Sequence, residues 1–121
     1  MAIALWIVQG LLGLIFVITG SFKFFKTKEK IIEAGGAWAV DFEPGIIKMI
    51  AGVELISGVS VIVPKILGHG HYLTFMGAAC IAVIMTGAIY THIRRKEFPH
   101  AAINLVFLLM ALFVAYAGRP F

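Results

Sequence analysis

The stretch that decides the fold is Ala2–Phe22, AIALWIVQGLLGLIFVITGSF, in which 21 consecutive residues carry no charge. A helix of about 20 apolar residues is long enough to cross the hydrocarbon core of a bilayer. Lysines follow at once, at Lys23 and Lys26, and each is costly in hydrocarbon. A cleaved leader usually has basic residues before its apolar run, and none precedes this run. We therefore expect a retained first transmembrane helix over about residues 2–25.

Three further apolar runs of similar length follow. Pro44 suits the first turn of a helix and Pro64 disfavours its continuation, so a second helix is predicted between them, with a loop over residues 65–71. Arg94–Glu97 would stop the third helix, and Pro99 would set up the fourth. The four predicted helices cover about residues 2–25, 45–63, 72–93 and 100–117.

Of the 121 residues, 61% are hydrophobic and 13% are charged, whereas about 25% of the residues of a soluble domain are charged. This composition excludes an ordinary water-soluble domain, and four spans with short loops account for the whole length. We therefore predict an all-α fold, a four-helix transmembrane bundle formed by a single domain over residues 1–121. The lipid bilayer is the first expected partner, and nothing in the sequence indicates nucleic acid.

The connection between the first two predicted spans is the longest one and contains a possible surface element. A short helix over Lys28–Ala34 is predicted to lie on the membrane, with Ile31 and Ile32 facing lipid, and Gly35-Gly36 would break it. The aromatic residues of this connection that suit the interface are Trp38 and Phe42.

Basic residues are distributed unequally between the two ends of the predicted bundle. Eight fall at one end: Lys23, Lys26, Lys28, Lys30, Lys48, Arg94, Arg95 and Lys96. Lys65 and Arg119 fall at the other end. The positive-inside rule then predicts that the eight-residue end faces the cytoplasm and that both termini lie outside.

Small residues recur at helical spacing along the predicted spans. Gly13 and Gly20 are seven residues apart, as are Ala51 and Gly58, and Gly77 begins a run of small residues in the third span. Small residues allow helix backbones to approach closely, which is a main source of helix association in lipid. The spacing predicts close contacts between helices along these faces.

Glu54 is the most informative residue, because it lies about nine residues into the second span and hence near the bilayer midplane. A carboxylate at that depth is costly and normally faces the bundle interior with a partner. Ala51 and Gly58 share its face through spacings of three and four. Two interpretations stay open: a functional group, or a neutral acid that holds helices together by hydrogen bonds.

Each predicted span offers one polar side chain to the same half of the bundle. We predict that Lys23, Glu54, His92 and Asn104 face inward and form a pocket open to the cytoplasmic leaflet. A pocket that pairs a carboxylate with histidine can relay protons or hold a quinone or another lipid head group. Secondary lining is predicted from Gly20, Gly58, Tyr90 and Thr91. The alternatives are a structural hydrogen-bond network and a Lys23 that reaches out to the interface.

The four histidines fall at the ends of the predicted spans and not within them. His69 and His71 are at one end, whereas His92 and His100 are at the other. A haem in the bundle core needs histidines well inside the spans, so the sequence predicts no haem. Two ligands in a loop make a poor metal site, and we interpret His69-Gly70-His71 as a solvated turn and predict no metal ligands.

Short sequence segments around these polar residues resemble the DoxX and DoxX-like family of small integral membrane proteins. The segments are Thr19–Phe24 (TGSFKF), Gly52–Gly58 (GVELISG), Gly87–His92 and Asn104-Leu105. The resemblance implies a four-helix membrane protein linked to membrane oxidoreductase systems, including electron transfer from thiosulfate to quinone, or to redox-stress complexes. Because the chain has one cysteine, it has no redox-active cysteine pair.

The function expected from this resemblance and from the polar cluster is that of an accessory, quinone-binding or lipid-binding subunit. It would serve a membrane oxidoreductase system of the bacterial cytoplasmic membrane, with a membrane or cytoplasmic redox partner. Glu54 and His92 would handle protons, while Lys23 and Asn104 would orient the head group. Whether the protein is itself an enzyme is left open. The alternatives are a proton-coupled small-solute transporter acting as a homodimer and a structural assembly factor.

Overall fold

The structure of the protein is a computed structural model that describes residues 2–34 and 37–117. The predictions for Gly35-Gly36 and Arg119, and any for the side chain of His71, lie outside the described residues. The described elements are α1 (Ala2–Phe25), α2 (Lys28–Glu33), a 3-10 helix (Ala37–Asp41), α3 (Pro44–Leu67), α4 (His71–Arg94) and α5 (Phe98–Ala117). These ranges contain helices and no strand, so the predicted all-α class is confirmed.

Four of the helices, α1, α3, α4 and α5, are long and apolar enough to cross a membrane. α1 packs on α3, α3 on α4 and α4 on α5, while a smaller contact between α5 and α1 closes the ring. The result is a four-helix bundle in which α3 and α5 lie diagonally opposite each other. The helices run antiparallel along the chain, so the end of α1, the start of α3, the end of α4 and the start of α5 form one end, which we call the basic end.

The interior of the bundle is a continuous apolar core. Leu12, Phe16, Val61 and Ile81 are buried within it, and the ring of Phe16 meets that of Phe107 edge to face at 5.7 Å. Large apolar side chains also cover the outside, including Ile3, Ile56, Val83 and Leu109. A soluble monomer does not expose apolar surface on this scale, whereas a bundle surrounded by lipid does.

The backbones of α1 and α3 touch at glycines, as the sequence spacing predicts. A Cβ added to Gly20 would lie 2.7 Å from the backbone nitrogen of Leu55, and one added to Gly58 would lie 2.8 Å from the carbonyl oxygen of Gly13. Real Cβ atoms essentially never come so close to backbone atoms. The prediction of close helix contact through small residues is therefore confirmed for this pair.

Pro64 does not end α3, so the predicted end near residue 63 is wrong. The helix continues to Leu67 and ends at Gly68, whose left-handed conformation (φ 79°) lets its N–H donate to the carbonyl oxygen of Pro64 at 2.9 Å. Proline lacks the N–H that would bond to the carbonyl of Ser60 one turn earlier. The hydroxyl of Thr74 on α4 donates to that carbonyl at 3.4 Å and compensates for the missing bond.

The remaining boundaries lie close to those predicted. α4 begins one residue earlier and ends one residue later, and α5 begins two residues earlier, with Pro99 in its first turn. The connection between α3 and α4 shortens from the predicted seven residues, 65–71, to the three residues 68–70, because α3 passes through Pro64.

The described residues of 27–43, which we call the interfacial segment, fold over the basic end. Thr27 caps α2, its side chain accepting from the N–H of Lys30 at 3.2 Å. The prediction that Ile31 faces lipid is wrong: its side chain is buried against Ala39 and Ile47, beneath the segment. The ammonium of Lys28 donates to the carbonyl oxygen of Phe42 at 2.7 Å and holds the two parts of the segment together.

Candidate functional site

A cavity of about 220 Å³ lies inside the basic end of the bundle. The four long helices contribute polar lining through Lys23, Glu54, Thr91, His92 and Asn104, and apolar lining comes from Trp38, Phe42, Ile50, Ile84, Met85, Gly87 and Ala88. Pockets for drug-sized molecules are typically about 300–1,000 Å³. This cavity is therefore smaller than a typical site for a whole drug-sized molecule.

A buried ion pair forms one wall of the cavity. The ammonium nitrogen of Lys23 lies 3.0 Å from Oε1 and 3.3 Å from Oε2 of Glu54. The Glu54 side chain is 1% exposed and that of Lys23 is 24% exposed. A carboxylate at this depth needs a partner, and the close approach of α1 to α3 at Gly20 brings the lysine to it.

Trp38 of the interfacial segment covers the ion pair from the basic end. The Lys23 ammonium lies 5.2 Å from the centre of the Trp38 ring, which is within the range of a cation–π contact. Trp38 in turn meets Phe42 edge to face at 5.9 Å. The lysine is thus held between a carboxylate inside the bundle and an aromatic ring that covers the cavity.

His92 is held by the turn that joins α4 to α5. Its Nδ1 lies 2.8 Å from Oε1 of Glu97, and its ring stacks on that of His100 at 5.1 Å between ring centres. The hydrogen bond with His92 lowers the pKa of the Glu97 carboxyl below its ordinary value, and the nearby Arg95 guanidinium lowers it further. Glu97 therefore presents a carboxylate that fixes the orientation of the His92 ring at the cavity wall.

Arg95 connects the interfacial segment to the same turn. Its Nη1 donates to Oδ2 of Asp41 at 2.7 Å, and its Nε donates to Oε2 of Glu97 at 3.3 Å. Asp41 ends the 3-10 helix that carries Trp38. We call the Arg95–Asp41 contact the clasp, because it ties the cover of the cavity to the end of α4.

The structure brings the four principal predicted site residues to one cavity, although their roles in binding stay a prediction. Lys23, Glu54, His92 and Asn104 all line it, together with Thr91 from the secondary set. Gly20 and Gly58 lie instead in the contact between α1 and α3. Tyr90 is 63% exposed and lies beneath the Arg94 guanidinium, which is 5.7 Å from the ring centre.

Sequence reasoning missed the cover of the cavity and the partner of His92. The sequence predicts Trp38 and Phe42 only as interfacial aromatics, yet they line the cavity. The available signal was the apolar character of residues 37–42, which is unusual for a solvated loop. The sequence indicates Glu97 only as part of a helix stop, and no residue pattern shows that the turn directs its side chain back to His92.

These features define a class, that of small four-span integral membrane proteins with a partly polar cavity at one end of the bundle. A family model described as the DoxX-like family matches residues 7–114, which is nearly the whole chain. The chain belongs to the DoxX-like family, and the predicted resemblance is confirmed. Comparison with curated proteins finds no match, and comparison with solved structures finds none either.

Proposed function

We propose that the protein binds the head group of a quinone or a similar lipid in this cavity, as an accessory subunit of a membrane oxidoreductase system. The observation that carries the proposal is the cavity itself, which joins apolar walls to an ion pair and three further polar side chains. A quinone head group has the same mixed character, being a flat apolar ring with carbonyl oxygens at opposite edges. Such a ligand would enter from the membrane and leave its tail in lipid.

The side chains that line the cavity suggest separate roles in binding such a head group. The Trp38 and Met85 side chains offer apolar surface to a flat ring, since aromatic rings and thioether sulfur both make favourable contacts with aromatic groups. The Asn104 amide is a donor for a carbonyl oxygen. The Thr91 hydroxyl already donates to the carbonyl oxygen of Gly87 at 3.0 Å, so it would serve the ligand as an acceptor. Glu54 is the proton-exchanging group in this proposal, and Lys23 and His92 orient the head group. The partner oxidoreductase supplies or accepts the electrons.

We infer further that the protein resides in the bacterial cytoplasmic membrane with its basic end toward the cytoplasm. The support is the excess of basic residues at that end, eight against two, under the positive-inside rule. The cavity would then open near the cytoplasmic leaflet, where a cytoplasmic or membrane redox partner has access to it.

The first test uses two matched glycine substitutions. Gly87 lies on the cavity wall and Gly10 lies toward the other end of the bundle; a Cβ at either position would meet no atom within 4 Å. Gly87→Leu therefore fills space at the cavity without removing a polar group, and Gly10→Leu adds the same side chain elsewhere. We expect wild type and Gly10→Leu to retain a quinone through purification in native lipid discs, and Gly87→Leu to lose about 90% of it.

Mass spectrometry of the small molecules in each sample provides the measurement, with Glu54→Gln as a second variant that keeps the side-chain shape. Equal quinone content in wild type and Gly87→Leu would contradict the proposal. If every sample contains only bulk lipid, the proposal fails too. Flux driven by a pH gradient in proteoliposomes would then support the transporter alternative.

A further prediction concerns the clasp. Asp41→Asn removes the charge that Arg95 contacts, and exposed ion pairs contribute about 0.2–1 kcal/mol. We expect amide hydrogen exchange of residues 37–43 to become about 1.4 to 5 times faster, which corresponds to that range. Glu29→Gln, an exposed change in the same segment, is the control and should leave this exchange unchanged. Equal exchange in both variants would mean that the clasp does not hold the cover.

A further inference from the structure

The turn between α4 and α5 gathers three side chains that can each offer a ligand atom to a metal ion. His92 ends the buried part of α4, Glu97 lies in the turn, and His100 lies in the first turn of α5. The ligand-type atoms of all three lie within 4.8 Å of one another. The sequence predicts no metal ligands, whereas the structure adds the Glu97 carboxylate to His92 and His100.

The backbone of the turn sets this arrangement. Lys96 adopts a left-handed conformation (φ 59°), which a residue other than glycine rarely does. The N–H of Glu97 then donates to the carbonyl oxygen of His92 at 2.7 Å, and the carbonyl oxygen of Glu97 accepts from the N–H of Ala101 at 3.1 Å. Glu97 is thereby fixed between the two helix ends, and its carboxylate meets His92 without depending on a mobile loop.

We propose that His92, Glu97 and His100 bind a divalent transition-metal ion such as Zn²⁺. Two imidazole nitrogens and one carboxylate oxygen form a donor set that Zn²⁺ and its neighbours in the first transition row accept, with water in the open position. In a tetrahedral zinc site, ligand atoms lie about 3.4 Å apart. The present separations, up to 4.8 Å, would have to shorten by at most about 1.4 Å. The exposed His100 side chain can supply this approach by rotation.

Arg95 supports the ligand set and also limits its affinity. The guanidinium holds Oε2 of Glu97 at 3.3 Å, so Oε1 remains directed at His92, and hydrogen bonds of this kind orient metal-binding carboxylates. Arg94, Arg95 and Lys96 add positive charge around the site, and Asp41 offsets only part of it. We therefore expect a dissociation constant in the micromolar range, weaker than that of a structural zinc site.

The proposed ion lies behind the cavity wall, since His92 belongs to both sites. Metal binding would replace the hydrogen bond between His92 and Glu97 and fix the imidazole ring in one orientation. The inference goes beyond the proposed function and does not depend on it, because a metal can bind whether or not the cavity holds a quinone.

The test is a titration of chelator-treated protein in detergent with Co²⁺, which reports its coordination through visible absorption. We expect saturation at one Co²⁺ per chain, and displacement of the band by Zn²⁺. His100→Ala changes an exposed residue and should weaken binding by at least about 10-fold. Glu97→Gln is the second variant and should weaken binding to a similar extent.

The matched control is His69→Ala, which removes an exposed histidine from the connection at the opposite end of the bundle. It should leave the Co²⁺ titration unchanged. The proposal is overturned if wild type gives no saturable band, or if both His100→Ala and Glu97→Gln bind Co²⁺ as tightly as wild type. Loss of the band in His69→Ala alone would assign the ion to the other loop and overturn the proposal as well.

Discussion

Replacing Lys23 by methionine should destabilise the protein by about 3 kcal/mol, because it leaves the carboxylate of Glu54 buried without a cation. Removal of one partner from a buried ion pair typically costs about 3–5 kcal/mol. We expect the lower end of this cost range because the Lys23 side chain is 24% exposed, so the pair is only partly removed from water. Equilibrium unfolding in mixed detergent micelles with increasing sodium dodecyl sulfate, followed by circular dichroism, gives the free energy of unfolding.

Two variants separate the ion pair from a general effect of losing a lysine. Lys26→Met makes the same change at an exposed position three residues further on, and we expect its unfolding free energy to stay within about 0.5 kcal/mol of wild type. The double variant Lys23→Met/Glu54→Met removes both charges and should regain most of the lost stability. If Lys23→Met unfolds like Lys26→Met, the pair contributes little and Glu54 is stable without it.

Substitution of Gly20 by alanine should have an effect of comparable size, about 3 kcal/mol, through packing and not charge. The added methyl group would lie 2.7 Å from the backbone nitrogen of Leu55 and 3.0 Å from the carbonyl oxygen of Ala51. Overpacking usually costs about 1–3 kcal/mol, and the upper end is expected because backbone atoms cannot rotate away as a side chain can. The same unfolding measurement applies.

Gly10→Ala is the control for this prediction, since a Cβ there meets no atom within 4 Å. Alanine favours a helix over glycine by about 0.5–1 kcal/mol, so this variant should match or exceed wild-type stability. Gly58→Ala should behave like Gly20→Ala, because its methyl group would lie 2.8 Å from the carbonyl oxygen of Gly13. If Gly20→Ala and Gly58→Ala are both as stable as wild type, α1 and α3 can move apart without loss of stability, which would contradict the prediction.

The bundle could be predicted from sequence because the bilayer imposes simple rules on it. An apolar run of about 20 residues has few alternatives to a spanning helix, and glycine spacing indicates which faces meet. The four polar side chains of the site were predicted together for a related reason. Lys23, Glu54, His92 and Asn104 all fall in the same half of the predicted bundle, and polar groups within a span turn inward when a bundle forms.

The errors have a different origin, since tertiary contacts and one rare backbone conformation decided the local structure. Pro64 looked like a helix end, yet a hydroxyl on α4 satisfies the carbonyl that proline leaves free. Ile31 looked lipid-facing, yet the 3-10 helix and α3 close over it. The position of Glu97 depends on the left-handed conformation of Lys96, which no neighbouring glycine indicates.

The ion pair between α1 and α3 also bears on how the chain enters the membrane. If the spans insert in chain order, Lys23 reaches the membrane boundary before Glu54 does. α3 and α4 are joined by only three residues and are expected to insert together as a helical hairpin. The hairpin would carry an unpaired carboxylate into lipid if it entered first. Insertion in this order would place the Lys23 ammonium at the membrane before α3 arrives, so we expect α1 to favour the insertion of α3.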